Sequence, residues 1–119
     1  MTTQERSEVT HRDMFIDGEW VPSRTGETME STSPATGEVI GSVPQGDRDD
    51  AIRAIAAANR AAGAWERLTA FDRAAKMHAV GDAIEARRDA LARTLTLDQG
   101  KPLLAESYGE VDELIAYFR

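Results

Sequence analysis

The sequence has no cysteine, and its large apolar residues are few. Without cysteine there is no disulfide framework, no thiolate metal site and no thiol nucleophile, and a cytoplasmic location is expected. Leu, Ile, Val and Phe together number 22 of 119 residues, whereas alanine alone numbers 19. That count is low for a stand-alone core. We therefore expect amphipathic elements whose apolar faces need something else to cover them.

Basic runs and long apolar runs are also missing. The formal net charge is −7 and the pI is near 4.8, so no positive patch is present to displace counterions from nucleic-acid phosphates. Residues 1–13 are polar and charged, unlike a signal peptide. No apolar stretch approaches the length needed to cross a bilayer. The negative charge therefore argues against nucleic acid as a partner, and the short apolar stretches argue against insertion into a membrane.

The first part of the chain predicts β-hairpins. Residues 1–13 are interpreted as a flexible tail. In residues 15–21 the dipeptide Asp17-Gly18 separates two short apolar runs, which favours a hairpin with a type I′ turn. A second pair of strands is predicted near 28–32 and 38–43, around the turn of residues 33–37. The β-hairpins thus occupy residues 14–44.

The second part, residues 47–119, predicts four helices. Asp47 can cap a helix over about 48–64, and Thr69 with Asp72 matches a capping box before a helix over about 70–87. A third helix, over about 89–99, ends at Gly100, and a fourth runs from Pro102 to the end of the chain. Strands followed by helices indicate the α+β class.

Each predicted helix carries an apolar stripe at helical spacing. The stripes comprise Ile52, Ile55, Ala58, Ala62 and Trp65 in the first helix; Phe71, Ala74, Met77, Gly81 and Ile84 in the second; Leu91 and Leu95 in the third; and Leu104, Tyr108, Val111, Ile115 and Phe118 in the fourth. The last stripe continues into the terminus without a stop signal, which is typical of a segment of a longer domain.

Four motifs, in order, resemble the N-terminal segment of the NAD(P)-dependent aldehyde dehydrogenases. They are residues 15–20 (Phe-Ile-Asp-Gly-Glu-Trp), residues 33–40 (Ser-Pro-Ala-Thr-Gly-Glu-Val-Ile), Ala64-Trp65, and residues 97–102 (Leu-Asp-Gln-Gly-Lys-Pro) with Leu103, Ala105 and Glu106. Family members usually have Asn where this chain has Ser33. The resemblance covers residues 14–119.

The resemblance implies the N-terminal part of an α/β enzyme. Intact members have a Rossmann-like domain for NAD or NADP, a catalytic domain with a nucleophilic cysteine, and an oligomerisation arm. They oxidise an aldehyde to an acid through a thiohemiacetal, hydride transfer and thioester hydrolysis helped by a glutamate. Those parts come later in the family's sequences, and this chain also has no G-x-G-x-x-G motif. We therefore expect no catalytic residue and no cofactor-binding residue here.

Asp98 is the position of greatest interest for binding. Its spacing from Leu91 and Leu95 predicts a carboxylate on the apolar stripe of the third helix, where it must be paired or bound. One interpretation is that it caps nearby amides or pairs with Lys101. The resemblance implies another, a monovalent-cation site using Asp98 and the carbonyl of Thr32, incomplete in this chain, with weak or no binding.

The remaining polar residues favour structural roles. His11 and His78 have no partners at metal-ligand spacing, and Lys101 matches the dipole at a helix C-terminus. Glu106, Glu110 and Glu113 share one face of the last helix and indicate a solvated surface.

The leading functional hypothesis is thus an N-terminal fragment of an aldehyde dehydrogenase, inactive alone and partnered by the remainder of a subunit. The alternatives are a non-catalytic interaction module that pairs with a homologous chain or a complementary fragment, and a free-standing helical binding domain. The identity of the aldehyde, the choice between NAD and NADP, and the oligomeric state lie outside these residues.

Overall fold

The structure is a computed structural model that describes residues 10–119. The elements in chain order are β1 (Thr10–His11), β2 (Met14–Ile16), β3 (Glu19–Val21), β4 (Thr28–Thr32), β5 (Val39–Pro44), α1 (Arg48–Glu66), α2 (Ala70–Glu85), α3 (Arg88–Gln99), a π-helical turn (Leu103–Ser107) and α4 (Tyr108–Tyr117). The described residues divide into two compact units, one that ends at Arg60 and one that begins at Ala61. Strands followed by helices confirm the α+β prediction, with most element boundaries within two residues of those expected.

The first hairpin forms as predicted. Strands β2 and β3 pair antiparallel, and Asp17 (φ 57°) and Gly18 (φ 83°) both take the positive φ that a type I′ turn requires. Phe15 lies opposite Trp20 with ring centroids 5.1 Å apart. An ion pair of 2.8 Å between Asp17 and Arg60 holds the turn beside α1.

The second predicted hairpin is also present. Strands β4 and β5 pair antiparallel, and the turn between them is closed by the amide of Gly37, which donates to the carbonyl of Ser33 at 2.7 Å. Ser33 is buried. The turn thus forms with serine at the position where the family that the sequence resembles usually has asparagine.

A third strand in this sheet was not expected. Thr10–His11 forms β1, parallel to β5, so the sheet order is β1-β5-β4. The amide of Arg12 donates to the carbonyl of Ser42 at 3.1 Å. The predicted tail over residues 1–13 does not account for this strand, because two polar residues carry no strand signal of their own; residues 1–9 lie outside the described residues.

Gly41 makes the approach of β1 possible. A Cβ atom built on Gly41 would lie 3.0 Å from the carbonyl oxygen of Thr10, a tight contact from which the backbone of β1 would have to move by a few tenths of an ångström. The observed position of β1 therefore requires a residue without a side chain at position 41 of β5.

In the second unit the core lies between α2, α3 and α4. Ala92, Val111 and Ile115 are buried, with Ile84, Leu103 and Tyr108 partly buried around them. Gly81 of α2 is buried, and a Cβ atom built on it would be in ordinary van der Waals contact with the Cβ of Phe118, at 3.5 Å, so α2 packs here against the end of α4. Fully buried Ser107 hydrogen-bonds to Thr96 at 2.8 Å, which leaves its hydroxyl satisfied.

The π-helical turn corrects the predicted stripe of the last helix. A continuous α-helix from Pro102 would have put Leu104 in the core, but Leu104 is 84% exposed and Leu103 packs there instead. The amide of Tyr108 donates to the carbonyl of Leu103, five residues back. A π-helical turn is wider than an α-turn, so residues before Tyr108 are rotated relative to the predicted face.

The predicted core face of α3 is shifted: Leu95 of the predicted stripe is half-buried, but the stripe does not include the residue that is fully buried. The buried residue of α3 is Ala92, whereas Leu91 and Asp98 are exposed. Because Ala92 faces α4, the stripe through Leu91 and Asp98 turns towards solvent, and the Asp98 carboxylate does not carry the burial penalty that its spacing predicted.

Large apolar side chains remain exposed in both units, as the composition predicts. Those with at least half of their surface exposed are Phe15, Trp20, Met29, Ile55, Phe71, Leu97, Leu104 and Tyr117. These residues outnumber the buried apolar core, so the described residues bury only part of their apolar surface.

A charged network joins α3 to α4. Arg88 donates to both carboxylate oxygens of Asp112, at 2.6 Å from Nη2, and its guanidinium lies 4.5 Å from the ring centroid of Tyr108. The Tyr108 hydroxyl and the Arg93 guanidinium donate to Asp89. Hydrogen bonds from Arg88 lower the pKa of Asp112, and those from Arg93 and Tyr108 lower the pKa of Asp89.

Replacing Gly41 by alanine should release β1. The added methyl group meets the Thr10 carbonyl, and two polar residues can detach at little cost, so the amide of Arg12 should exchange its hydrogen roughly tenfold faster. Hydrogen–deuterium exchange checks this, with Gly109→Ala as the control because nothing lies within 4 Å of its added Cβ. Unchanged exchange at Arg12 would contradict the dependence on Gly41.

Acid should loosen the contact between α3 and α4. The pKa values of Asp89 and Asp112 are lowered in the folded chain, so their stabilising contribution is full above the unfolded pKa near 4 and is lost as the pH falls further. We expect the amide protection of α4 to drop below about pH 4. Asp112→Asn should already reduce protection at neutral pH and flatten the acid response. An equal effect of Glu106→Gln, an exposed carboxylate between the same helices, would argue against a specific network.

Candidate functional site

Two parts of the expected chemistry can be tested on this chain: the nucleophile and a dinucleotide cradle. The 119 residues of this chain contain no cysteine, so none of them supplies a thiolate. A dinucleotide cradle requires a glycine-rich connection from a strand to a helix, with free amides at the helix N-terminus. Among the described residues, the connection from β5 to α1 is the place to examine.

The N-terminus of α1 is closed by its own side chains. The amide of Asp50 donates to Oδ1 of Asp47 at 2.9 Å, and the amide of Asp47 donates to Oδ2 of Asp50 at 3.3 Å. This reciprocal arrangement is a capping box. It confirms the predicted cap at Asp47, and the spacing Asp-x-x-Asp was the signal that could have predicted the return bond from Asp50.

Asp50 also holds the preceding loop, which sequence reasoning missed. It is only 3% exposed, and both of its oxygens accept the amide of Arg24, at 3.1 and 3.3 Å. Arg53, one turn along α1, donates to Oδ1 at 3.1 Å. The buried carboxylate is therefore satisfied by two backbone amides and one guanidinium.

The charge at this helix terminus is negative. The pKa of Asp47 is lowered, first by the Asp50 amide and then by the Arg24 guanidinium, which donates to it at 2.6 Å. Asp49 lies 3.5 Å from the same guanidinium. Carboxylates thus occupy the place where a phosphate would bind, so the residues present do not fit the pyrophosphate of NAD or NADP.

Thr32 and Asp98, the residues of the expected cation site, belong to different units. Thr32 ends β4 opposite Val39, next to an irregularity in the strand register, and its side chain is exposed. Asp98 lies in the last turn of α3 and is exposed. Within residues 10–119 no group of three or more His, Asp or Glu side chains is placed to hold a metal ion. A site built mainly from carbonyl oxygens is not tested by that search and stays a prediction.

The histidines show different surroundings. His11, expected in a tail, hydrogen-bonds through Nδ1 to Ser42 at 2.8 Å and through Nε2 to Asp13 at 3.1 Å. This row joins the β1 segment to β5, consistent with a structural role. His78 is an exposed residue of α2.

Lys101 and the glutamates of the last helix also have structural partners. The ammonium group of Lys101 pairs with Glu110, and the hydroxyl of Tyr117 donates to Glu113 at 2.9 Å. Glu106 is exposed. These contacts stabilise the helix surface, as the solvated-face interpretation predicts.

No helix within the described part of the chain is long and apolar enough to span a membrane.

The relatives found by comparison with known proteins are aldehyde dehydrogenases. Residues 20–119 match the profile of the aldehyde dehydrogenase family. Glutarate-semialdehyde dehydrogenase of Pseudomonas aeruginosa is 46% identical over 97 residues, which are 82% of this chain and 20% of that protein. Succinate-semialdehyde dehydrogenase [NADP(+)] of Escherichia coli is 43% identical over 105 residues, 88% of this chain and 22% of that protein.

Solved structures agree with the sequence matches. An NAD-dependent aldehyde dehydrogenase from Sinorhizobium meliloti superposes with a TM-score of 0.89 and 35% identity, over 94% of this chain and 23% of that chain. Betaine aldehyde dehydrogenase from Staphylococcus aureus, in complex with NAD+, superposes with a TM-score of 0.86 and 44% identity, over 90% of this chain and 22% of that chain.

The chain therefore spans about one fifth of the length of the relatives that it matches. The family profile covers all but the first 19 residues, and the fold agrees over nearly the whole chain. On this evidence the chain belongs to the aldehyde dehydrogenase family and corresponds to the N-terminal segment of its members.

Proposed function

We propose that this chain is the N-terminal framework of an NAD(P)-dependent aldehyde dehydrogenase, which oxidises an aldehyde to a carboxylic acid when its subunit is complete. The observation that carries the proposal is the family match over residues 20–119, combined with a coverage of about one fifth of each relative. This segment contributes strands and helices to the subunit, whereas the nucleophile and the cofactor site lie in the remainder of the subunit.

The residues of this chain explain why it should not act alone. It has no cysteine to attack an aldehyde carbon. The N-terminus of α1 is capped by the carboxylates of Asp47 and Asp50, whose negative charge would repel the phosphates of a dinucleotide. Nucleophile and cofactor site are therefore assigned to the remainder of the subunit.

The cofactor of the complete enzyme is NAD or NADP. The structure of betaine aldehyde dehydrogenase that superposes on this chain is a complex with NAD+, whereas the Escherichia coli relative is named for NADP(+). Since this segment resembles both to a similar degree, its sequence does not select between them.

The aldehyde is likewise not selected by this segment. Relatives with 43–46% identity are named for glutarate semialdehyde, succinate semialdehyde and 3-sulfolactaldehyde. Nearly equal similarity to enzymes of three different aldehydes indicates that these residues form a shared framework.

The partner proposed for the chain is the remainder of an aldehyde dehydrogenase subunit. The exposed apolar residues of both units are consistent with surfaces that a larger subunit covers. The alternative of a non-catalytic interaction module has no support from the comparisons. A cytoplasmic location and assembly into an oligomer stay predictions.

The isolated chain should form no NADH or NADPH from any aldehyde. Mixed with a separately produced chain comprising the remaining four fifths of the Pseudomonas aeruginosa relative, it should restore aldehyde-dependent reduction of the cofactor. The control is that remainder alone, which should be inactive because its framework is missing. Turnover by the 119-residue chain alone, or a mixture no more active than the remainder, would overturn the proposal.

The isolated chain should also show weak or no binding of monovalent cations, because the expected site lacks ligands that belong to the remainder. Replacing sodium or potassium by tetramethylammonium at constant ionic strength should leave its thermal unfolding unchanged. Asp98→Asn should behave in the same way. A clear rise in melting temperature with sodium or potassium, abolished by Asp98→Asn, would show that the chain holds a complete site.

A further inference from the structure

The turn of the first hairpin contains the only Asp-Gly dipeptide in the 119 residues, Asp17-Gly18. Every other aspartate is followed by a residue with a side chain, and the only asparagine, Asn59, precedes Arg60. Asp-Gly is chemically distinctive, because without a Cβ atom glycine lets its amide nitrogen approach the preceding side chain freely. Asp17 and Gly18 are both exposed, so water reaches them.

Few interactions hold this turn closed. Its strands, β2 and β3, have three residues each and form a two-stranded sheet, and an isolated hairpin of this kind is marginally stable in water. The rings of Phe15 and Trp20 lie against each other but are 62% and 64% exposed. The ion pair between Asp17 and Arg60 is exposed on both sides and adds little. We therefore expect the turn to open frequently.

We propose that Asp17 is a site of isoaspartate formation, a backbone modification controlled by opening of the hairpin formed by β2 and β3. In the open turn the amide nitrogen of Gly18 bonds to Cγ of the protonated Asp17 carboxyl group. One water leaves, formed from the carboxyl hydroxyl and the amide hydrogen, and a five-membered succinimide ring closes.

A second water molecule completes the reaction. It adds to the former main-chain carbonyl of Asp17 and breaks the bond between that carbon and the Gly18 nitrogen. The main chain then runs through the side chain of Asp17, and the former main-chain carbonyl carries the free carboxylate. One water is lost and one is gained, so the mass is unchanged and no oxidant or reductant takes part.

The closed turn opposes this reaction in two ways. The ring requires the Gly18 nitrogen to lie beside Cβ of Asp17, whereas the type I′ turn, with φ 57° at Asp17, holds that nitrogen away from it. Arg60 pairs with the ionised carboxylate at 2.8 Å, whereas the protonated carboxyl group is the reacting form. The rate of modification should therefore follow the population of open turns.

The modification would in turn disrupt the hairpin. It adds one methylene group to the main chain between the two strands, and a two-residue type I′ turn fixes the register only for its own backbone length. The pairing of Phe15 with Trp20 should then be lost, together with the ion pair to Arg60.

The site is tested by ageing the 119-residue chain at physiological temperature and neutral pH. Isoaspartate is quantified with protein isoaspartyl methyltransferase and located by electron-transfer fragmentation of peptides. Asp17 should accumulate at least about tenfold more than Asp82, which precedes an alanine inside α2. Asp17→Glu should show none at this position, because the longer side chain does not form the five-membered ring. Equal amounts at Asp17 and Asp82 would overturn the assignment.

Control by hairpin opening is tested with two further variants. Phe15→Ala removes the ring that lies against Trp20 and should raise the rate at Asp17 roughly threefold, and Arg60→Gln should raise it about twofold. Arg67→Gln, the same change at an exposed position outside the hairpin, should leave it unchanged. Helical circular dichroism should be the same for all these chains, which detects a folding defect directly. Equal rates in the wild type and Phe15→Ala would overturn the control by opening. The measurement needs no partner and no aldehyde, so its outcome is independent of the proposed function.

Discussion

The shortage of large buried apolar side chains is the constraint that governs this structure. In the second unit the fully enclosed apolar residues are Ala92, Val111 and Ile115. Burial of such a small set contributes little against the conformational entropy of ordering three helices. Close packing of small residues, at Gly81 and Ala92, then has to replace the bulk that leucine and phenylalanine provide in ordinary cores.

Buried polar groups add to the small apolar core in fixing the fold. Asp50 and Ser107 are buried, and each is hydrogen-bonded. Within the described residues no buried side-chain nitrogen or oxygen lacks a partner. Satisfied buried polar groups specify geometry, because any other arrangement leaves one of them without a hydrogen bond. The position of the loop before β4 relative to the start of α1 is therefore fixed by the carboxylate of Asp50, in a unit with few apolar contacts.

Local features of the fold could be predicted from the sequence, because their causes lie within a few residues. The turn at Asp17-Gly18, the cap at Asp47 and the left-handed Gly100 each follow from short-range backbone chemistry. At Thr69 the amide of Asp72 donates to the threonine hydroxyl oxygen as predicted. The Asp72 carboxylate, however, accepts from that hydroxyl, where a full capping box would use the Thr69 amide.

Features that depend on distant residues could not be predicted. Strand β1 is visible only once β5 and its Gly41 are in place, and the carboxylate of Asp50 meets an amide 26 residues earlier in the chain. The inward position predicted for Leu104 was wrong because the π-helical turn precedes α4, and helical periodicity assumes a constant pitch. In α3 the buried residue is Ala92, a small residue that the stripe through Leu91 and Leu95 does not include. For the candidate site, the lack of a nucleophile was evident from composition, whereas the closure of the α1 N-terminus required the positions of both aspartates.

The π-helical turn has a consequence for how this segment can vary in length. Such a turn accommodates one residue more than an α-helical turn in the same hydrogen-bonded loop. Deleting a residue at the exposed position of Leu104 would restore ordinary helical pitch while Val111 and Ile115 keep their inward orientation. The junction before α4 is thus a place where the chain can lose a residue without disturbing the helices on either side.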